Sequence, residues 1–123
     1  MSLQNKKILI VEDDEMNFIY LSQIFRIAQI AIVRAKTGYE AIDIARHDTQ
    51  IDLILMDIQL PDISGIEVTE KIRNFNKLLP IIAQTATKSD IERDAIMDAG
   101  CTDVLVKPFR MDELLSKIRE YLP

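Results

Sequence analysis

The chain has 123 residues, enough for one domain with a real core and too short for two ordinary ones. Apolar residues make up 48% and charged residues 28%, the balance of a soluble globular domain, and no apolar run approaches the roughly 20 residues of a membrane span. A net charge of −5 argues against nonspecific nucleic-acid binding and against docking on anionic lipid.

Residues 1–5 read as a flexible N-terminal extension, with Met1-Ser2-Leu3 fitting a cloning remnant, and no secretory signal is visible. The run Ile8 to Val11 predicts a strand over 7–12 that leads into Glu12, Asp13 and Asp14. Asp14 suits the N-cap of a first helix with Phe18, Leu21, Ile24, Phe25 and Ala28 on one stripe. A second strand is expected over 30–35. The next helix opens on a capping box, Thr37 with Glu40, and carries Ala41, Ile44 and Ala45. His47 comes late in that helix, far from other polar candidates, and reads as solvated because histidine chemistry needs partners.

Leu53 to Met56 predicts a third strand over 52–57 that ends on Asp57. A loop rich in turn residues follows, and Ser64 with Glu67 opens a helix carrying Ile66, Thr69, Ile72 and Phe75. Ile81 to Ala83 predicts a fourth strand over 80–84, leading through Gln84 to Thr85. Ser89 with Glu92 opens the fourth helix, whose stripe is Ile91, Ala95, Ile96 and Ala99, with Gly100 as a left-handed stop. Cys101, the one cysteine, excludes an internal disulfide, fits a reducing compartment and reads as a packed residue. The last strand, over 102–106, runs into Lys107 and Pro108, where a cis bond would aim the lysine inward. Leu114, Leu115, Ile118 and Leu122 mark the fifth helix.

Short unbroken apolar runs alternating with amphipathic helices describe parallel strands covered on both faces. Five such units with right-handed crossovers leave few topologies, and the flavodoxin-like (βα)5 three-layer sandwich, order 2-1-3-4-5, is the commonest at this length. Ligands of an open α/β sheet bind at the carboxyl ends of its strands. There Glu12, Asp13 and Asp57 would meet Thr85 and Lys107. Two carboxylates about 4 Å apart repel by on the order of 4 kcal/mol at an effective dielectric near 20. Either one carboxyl stays protonated or a cation sits among them. Hard oxygen ligands without thiolate or imidazole favour Mg²⁺, and a carboxylate beside Mg²⁺ and a lysine can accept a phosphoryl group.

Taken together these residues resemble the receiver domain of two-component response regulators, over the whole chain. The resemblance implies the same strand order. It also implies that Asp57 is the phosphoacceptor and that Glu12 and Asp13 are the acid pair. Asp13 and Asp57 would ligate the metal directly, Glu12 through water, and Gln59 through its backbone carbonyl, with Mg²⁺ or, in its place, Mn²⁺. Thr85 matches the switch hydroxyl, Lys107-Pro108 the lysine pair, and Leu60 to Gly65 the Pro-containing turn. Gln59 and Thr87 stand where the family tunes phosphoryl lifetime. One position departs: the family usually has Tyr or Phe three residues before the lysine, and here it is Val104.

The implied partners are a histidine kinase or phosphotransfer domain, docking near the first helix with Phe18 and Tyr20 flanking that surface. An output partner or fused domain would use the face of the fourth helix, fifth strand and fifth helix. The implied location is the cytoplasm, alone or as the cytoplasmic part of a membrane-bound sensor kinase. Asn17 and the stretch Ala83 to Ala86 are similar to receivers fused to such kinases. The alternatives are a small aspartyl-nucleophile phosphohydrolase, a flavodoxin-like cofactor binder and a degenerate receiver acting only as an interaction module. In the first, the second acid of Asp-x-Asp would have to stand at Gln59; in the second, Glu12-Asp13-Asp14 would repel a bound phosphate.

Overall fold

A computed structural model describes residues 3–122. Five parallel strands, β1 (Lys7–Val11), β2 (Ala31–Ala35), β3 (Leu53–Asp57), β4 (Ile81–Thr85) and β5 (Asp103–Val106), form one sheet in the order β2-β1-β3-β4-β5. Between and after them run α1 (Glu15–Ile27), α2 (Gly38–His47), α3 (Gly65–Arg73), α4 (Asp90–Asp98) and α5 (Met111–Tyr121). This is the expected three-layer arrangement, with boundaries displaced by about one residue. Every residue of β3 and β4 is buried, because both faces of these central strands are covered.

Alternate strand residues feed two cores. Ile8, Ile10, Leu53 and Leu55 pack with Leu21 and Phe25 of α1 and Leu114 and Ile118 of α5. Leu9, Val11, Ile54 and Met56 pack with Ala41 and Ala45 of α2, Val68 and Ile72 of α3, and Ile96 of α4. Met1 and Ser2, part of the expected flexible extension, lie outside the described residues, whereas Leu3 is buried in the α1–α5 core and accepts the Lys6 amide at 3.2 Å.

The predicted caps form on their amide-accepting side. Asp14 accepts from Asn17, Thr37 from Glu40, Ser64 from Glu67 and Ser89 from Glu92. The reciprocal halves do not close on the cap residues themselves. Glu40 takes the amide of Lys36 at 2.8 Å, and Glu92 turns its carboxylate toward Thr85. At α5, unforeseen in the sequence, a reciprocal half does close: the amide of the N-cap Arg110 donates to Glu113 at 3.3 Å.

Two apolar stripes need correction. Ile91 is 84% exposed and Ala95 faces water, so α4 meets the core through Ile96, with Ala99 just after it. Phe75 lies beyond the end of α3 with the Arg46 guanidinium 4.9 Å from its ring centroid. Gly100 takes φ +114°, the left-handed stop expected of it.

Candidate functional site

Register builds the site. Val11 pairs with Met56 and Asp57 with Gln84, so the residues leaving β1, β3 and β4 come side by side at the carboxyl edge. Glu12, Asp13 and Asp57 bring one carboxylate oxygen each to within 4.8 Å of one another. Lys107, just past β5, reaches in from the other side, its Nζ 3.4 Å from Asp57 Oδ1 and 3.7 Å from Glu12 Oε1. The Lys107–Pro108 bond is cis. These groups share one open cleft with Thr85 and Gln59.

The acids differ in environment. Glu12 is fully buried, Asp57 nearly so, and Asp13 is exposed. Burial and a hydrogen bond shared with Asp57 push the Glu12 carboxyl up to about 7, against the opposing effect of its bond from Asn17. Of the two ways out of carboxylate repulsion, burial thus favours retention of a proton on Glu12 in the metal-free fold, while the Lys107 ammonium 3.7 Å away favours its charged form. The Asp14 amide donates to Glu12 Oε2 at 3.3 Å, and Asn17 Nδ2 donates to Oε1. Oxygen donors alone, one of them on the exposed Asp13, suit a hard ion that keeps part of its hydration shell.

The β3–α3 loop is clamped at both ends. The Gly65 amide donates to Ile58 O at 2.8 Å, and a Cβ on Gly65 would lie 2.4 Å from Asp57 O and 2.9 Å from Ile58 Cα. Only glycine allows α3 to start so close to the Asp57 backbone. At the other side Asp62 accepts the Gly38 and Tyr39 amides at 2.8 and 3.0 Å, tying the loop to the start of α2. The Gln59 amide donates to Asp57 Oδ1 at 3.2 Å.

Thr85 lies at the end of β4, 6% exposed, and its hydroxyl donates to Glu92 Oε1 of α4 at 2.8 Å. Thr87, half-buried, donates its amide to Thr85 Oγ1 at 3.2 Å. Val104 is buried in the core beneath α4. Tyr20 stays 40% exposed at the cleft edge and donates its hydroxyl to Phe109 O at 3.1 Å. Phe18 is half-buried under the Arg34 guanidinium, 4.2 Å from its ring centroid. His47 is exposed, bonded only within its own helix.

Three residues of the cleft escaped sequence reasoning in these roles. Asn17 looked like part of a family motif, but not like the partner of Glu12; its place on the first turn after Asp14 was the available signal. Glu92 looked like a capping residue. Gln84 is fully buried beside Asp57, and neither polar atom of its amide has a hydrogen-bond partner among the described residues. Its position in an otherwise apolar run was the signal there.

A carboxylate cluster, an inward lysine and a strand-end hydroxyl at the carboxyl edge of a 2-1-3-4-5 sheet define a phosphoryl-handling signalling domain. A family model for the response regulator receiver domain matches residues 8–119, and the chain belongs to this family. It is 36% identical over 119 residues to the polar-differentiation response regulator DivK of Brucella anthropi, covering 95% of this chain and 96% of DivK. The receiver domain of a Pseudomonas aeruginosa sensor histidine kinase, solved with magnesium in its active-site cleft, is 31% identical with a TM-score of 0.88, covering 95% of this chain and 97% of that one. The receiver domain of a Saccharomyces cerevisiae response regulator, crystallised with a histidine phosphotransfer protein, is 35% identical with a TM-score of 0.89, covering 96% and 89%. The protein is thus a receiver of two-component signalling, and the flavodoxin-type and hydrolase alternatives give way to that assignment. No helix of the described residues is long and apolar enough to cross a membrane.

Proposed function

We propose that Asp57 accepts a phosphoryl group from a phosphohistidine and that Asp13, Asp57 and the Gln59 carbonyl hold Mg²⁺, with Glu12 acting through water. The observation that carries this reading is the meeting of three carboxylates within 4.8 Å beside the Lys107 ammonium. An Asp57 carboxylate oxygen attacks phosphorus while the P–N bond breaks, and its electron pair stays on the imidazole nitrogen. Mg²⁺, when bound, neutralises the charge on the phosphoryl oxygens. Lys107 adds a fixed positive charge on the side opposite Asp13. Mn²⁺, which accepts the same oxygen donors, would substitute.

Phosphorylation replaces one negative charge by nearly two and adds acceptor oxygens. Thr85 and Lys107 satisfy those oxygens by moving toward Asp57, which shifts the balance between two states of the β4–α4 segment. The readout is the α4–β5–α5 face. The donor, a histidine kinase or a phosphotransfer domain, docks near α1 and the cleft, with Tyr20, 40% exposed, and the half-buried Phe18 flanking that surface. The phosphotransfer complex of the yeast relative supports a partner of that kind. On this reading the domain works in the cytoplasm, alone or as part of a sensor kinase.

The test is incubation with Mg²⁺ and a small phosphodonor, followed by intact-mass measurement and peptide mapping. A single phosphoryl adduct on the Asp57 peptide, absent in Asp57→Asn and without Mg²⁺, is the expected result. An adduct elsewhere, or an equal one in Asp57→Asn, would refute the assignment. Steady turnover of a generic phosphate ester would instead favour a hydrolase.

A further inference from the structure

Two features mark the switch region: Val104 stands where the family usually has an aromatic, and the Thr85 hydroxyl already has a partner. A threonine hydroxyl has one proton, so it donates to one acceptor at a time. Here that acceptor is Glu92 Oε1 at 2.8 Å. Glu92 sits in the first turn of α4, half-buried and facing the same cleft as Asp57. It does not bond the Ser89 amide, which donates instead to Thr87 Oγ1 at 3.0 Å. Thr87 in turn donates its amide to Thr85 Oγ1 at 3.2 Å. A short ladder of side-chain bonds therefore joins the end of β4 to the start of α4.

We infer that Glu92 is a positioning residue that holds the Thr85 hydroxyl on α4 until a phosphoryl group on Asp57 competes for it. The inference rests on the reading of Asp57 as phosphoacceptor. Turning Thr85 to the phosphoryl oxygens breaks its bond to Glu92, so the two acceptors are mutually exclusive. The bond to Glu92 is charge-assisted and partly shielded from water, which makes it a real competitor rather than a surface contact. Its loss frees the first turn of a helix that buries only Ile96 within its length. The link from site to output face then runs through Thr85, Glu92 and α4. Because Val104 is packed in the core beneath α4, no rotating ring is needed.

The experiment is a calorimetric titration of beryllium trifluoride, a mimic of a carboxylate-bound phosphoryl group, in excess Mg²⁺. The proteins are wild type, Glu92→Ala, Glu92→Gln, Thr85→Ala and the Thr85→Ala/Glu92→Ala double variant. Glu92→Ala is expected to bind roughly five- to tenfold more tightly, the change expected from removing one competing hydrogen bond. Glu92→Gln keeps an acceptor oxygen and is expected to gain clearly less. In the Thr85→Ala background the same Glu92→Ala change is expected to alter affinity by less than about twofold, because coupling needs both partners. Equal gains for Ala and Gln, or equal gains in both backgrounds, would mean that Glu92 acts through its charge alone and would overturn the inference. Unchanged affinity in Glu92→Ala would also overturn it, while leaving Asp57 as phosphoacceptor. Failure of the wild type to bind would remove the phosphoacceptor reading and this inference with it.

Discussion

Burial of Glu12 beside Asp57 disfavours its charged form, so metal-free stability depends on pH in a defined window. The folded carboxyl titrates at about 7, above its ordinary 4.5. An acid raised in this way contributes stability that is fully present below 4.5 and is lost as pH rises through about 7. Urea melts in a chelator should therefore show wild type losing stability relative to Glu12→Gln between these pH values, and Mg²⁺ should flatten the difference. Parallel curves would show that folding does not raise the Glu12 carboxyl. The acids and Lys107 were legible in the sequence because each terminates an apolar run, and parallel strands bring such termini to one edge. Glu92 and Gln84 were not legible as cleft residues. Where Glu92 points depends on how α4 turns against β4, and a glutamine amide announces nothing until its surroundings prove apolar. The Asn17 bond to Glu12 likewise needs the angle at which α1 leaves the β1 edge.

At the scale of elements, α4 is the least anchored helix on its face of the sheet. Ile96 is fully buried and Ile91 is 84% exposed, although both fit the same helical spacing in the sequence. Ile96→Ala should cost about 2–5 kcal/mol by leaving a cavity, while Ile91→Ala should stay within roughly 0.5 kcal/mol of wild type. Denaturant midpoints check both, and a large loss at Ile91 would contradict the orientation of α4. The apolar stripe misled here because α4 is short and covers little of the sheet, so spacing alone did not say which apolar residues reach it. The β3–α3 junction behaves in the opposite way. Gly65→Ala puts a Cβ against the Asp57 carbonyl and the Ile58 Cα, backbone atoms that cannot rotate aside. The expected cost is roughly 1–3 kcal/mol by overpacking, together with slower phosphoryl uptake at Asp57 as its strand end shifts. An unchanged melting temperature in Gly65→Ala would show that the loop has slack. The strands and caps, by contrast, were readable almost to the residue, since Asp14, Thr37, Ser64 and Ser89 each sit where an orphan amide needs an acceptor.

For the molecule as a whole, two cores hold five strand ends at one edge, and the edge gathers like charges that the cores alone would not tolerate. The fold keeps them together because Lys107, 3.4 Å from Asp57 and 3.7 Å from Glu12, offsets part of the repulsion, and a divalent cation would offset more. Metal binding should then stabilise the folded state alone, since the unfolded chain scatters Glu12, Asp13 and Asp57. The most direct measurement is the melting temperature of wild type and Asp13→Asn as Mg²⁺ is raised at pH 8, with Ca²⁺-free buffer and matched ionic strength. At ten times its dissociation constant Mg²⁺ contributes about 1.4 kcal/mol, a rise of roughly 4–6 °C for a domain of this size. We expect that rise in wild type and little or none in Asp13→Asn; equal curves for the two proteins, or no response in either, would contradict a shared cation site at the ends of β1 and β3.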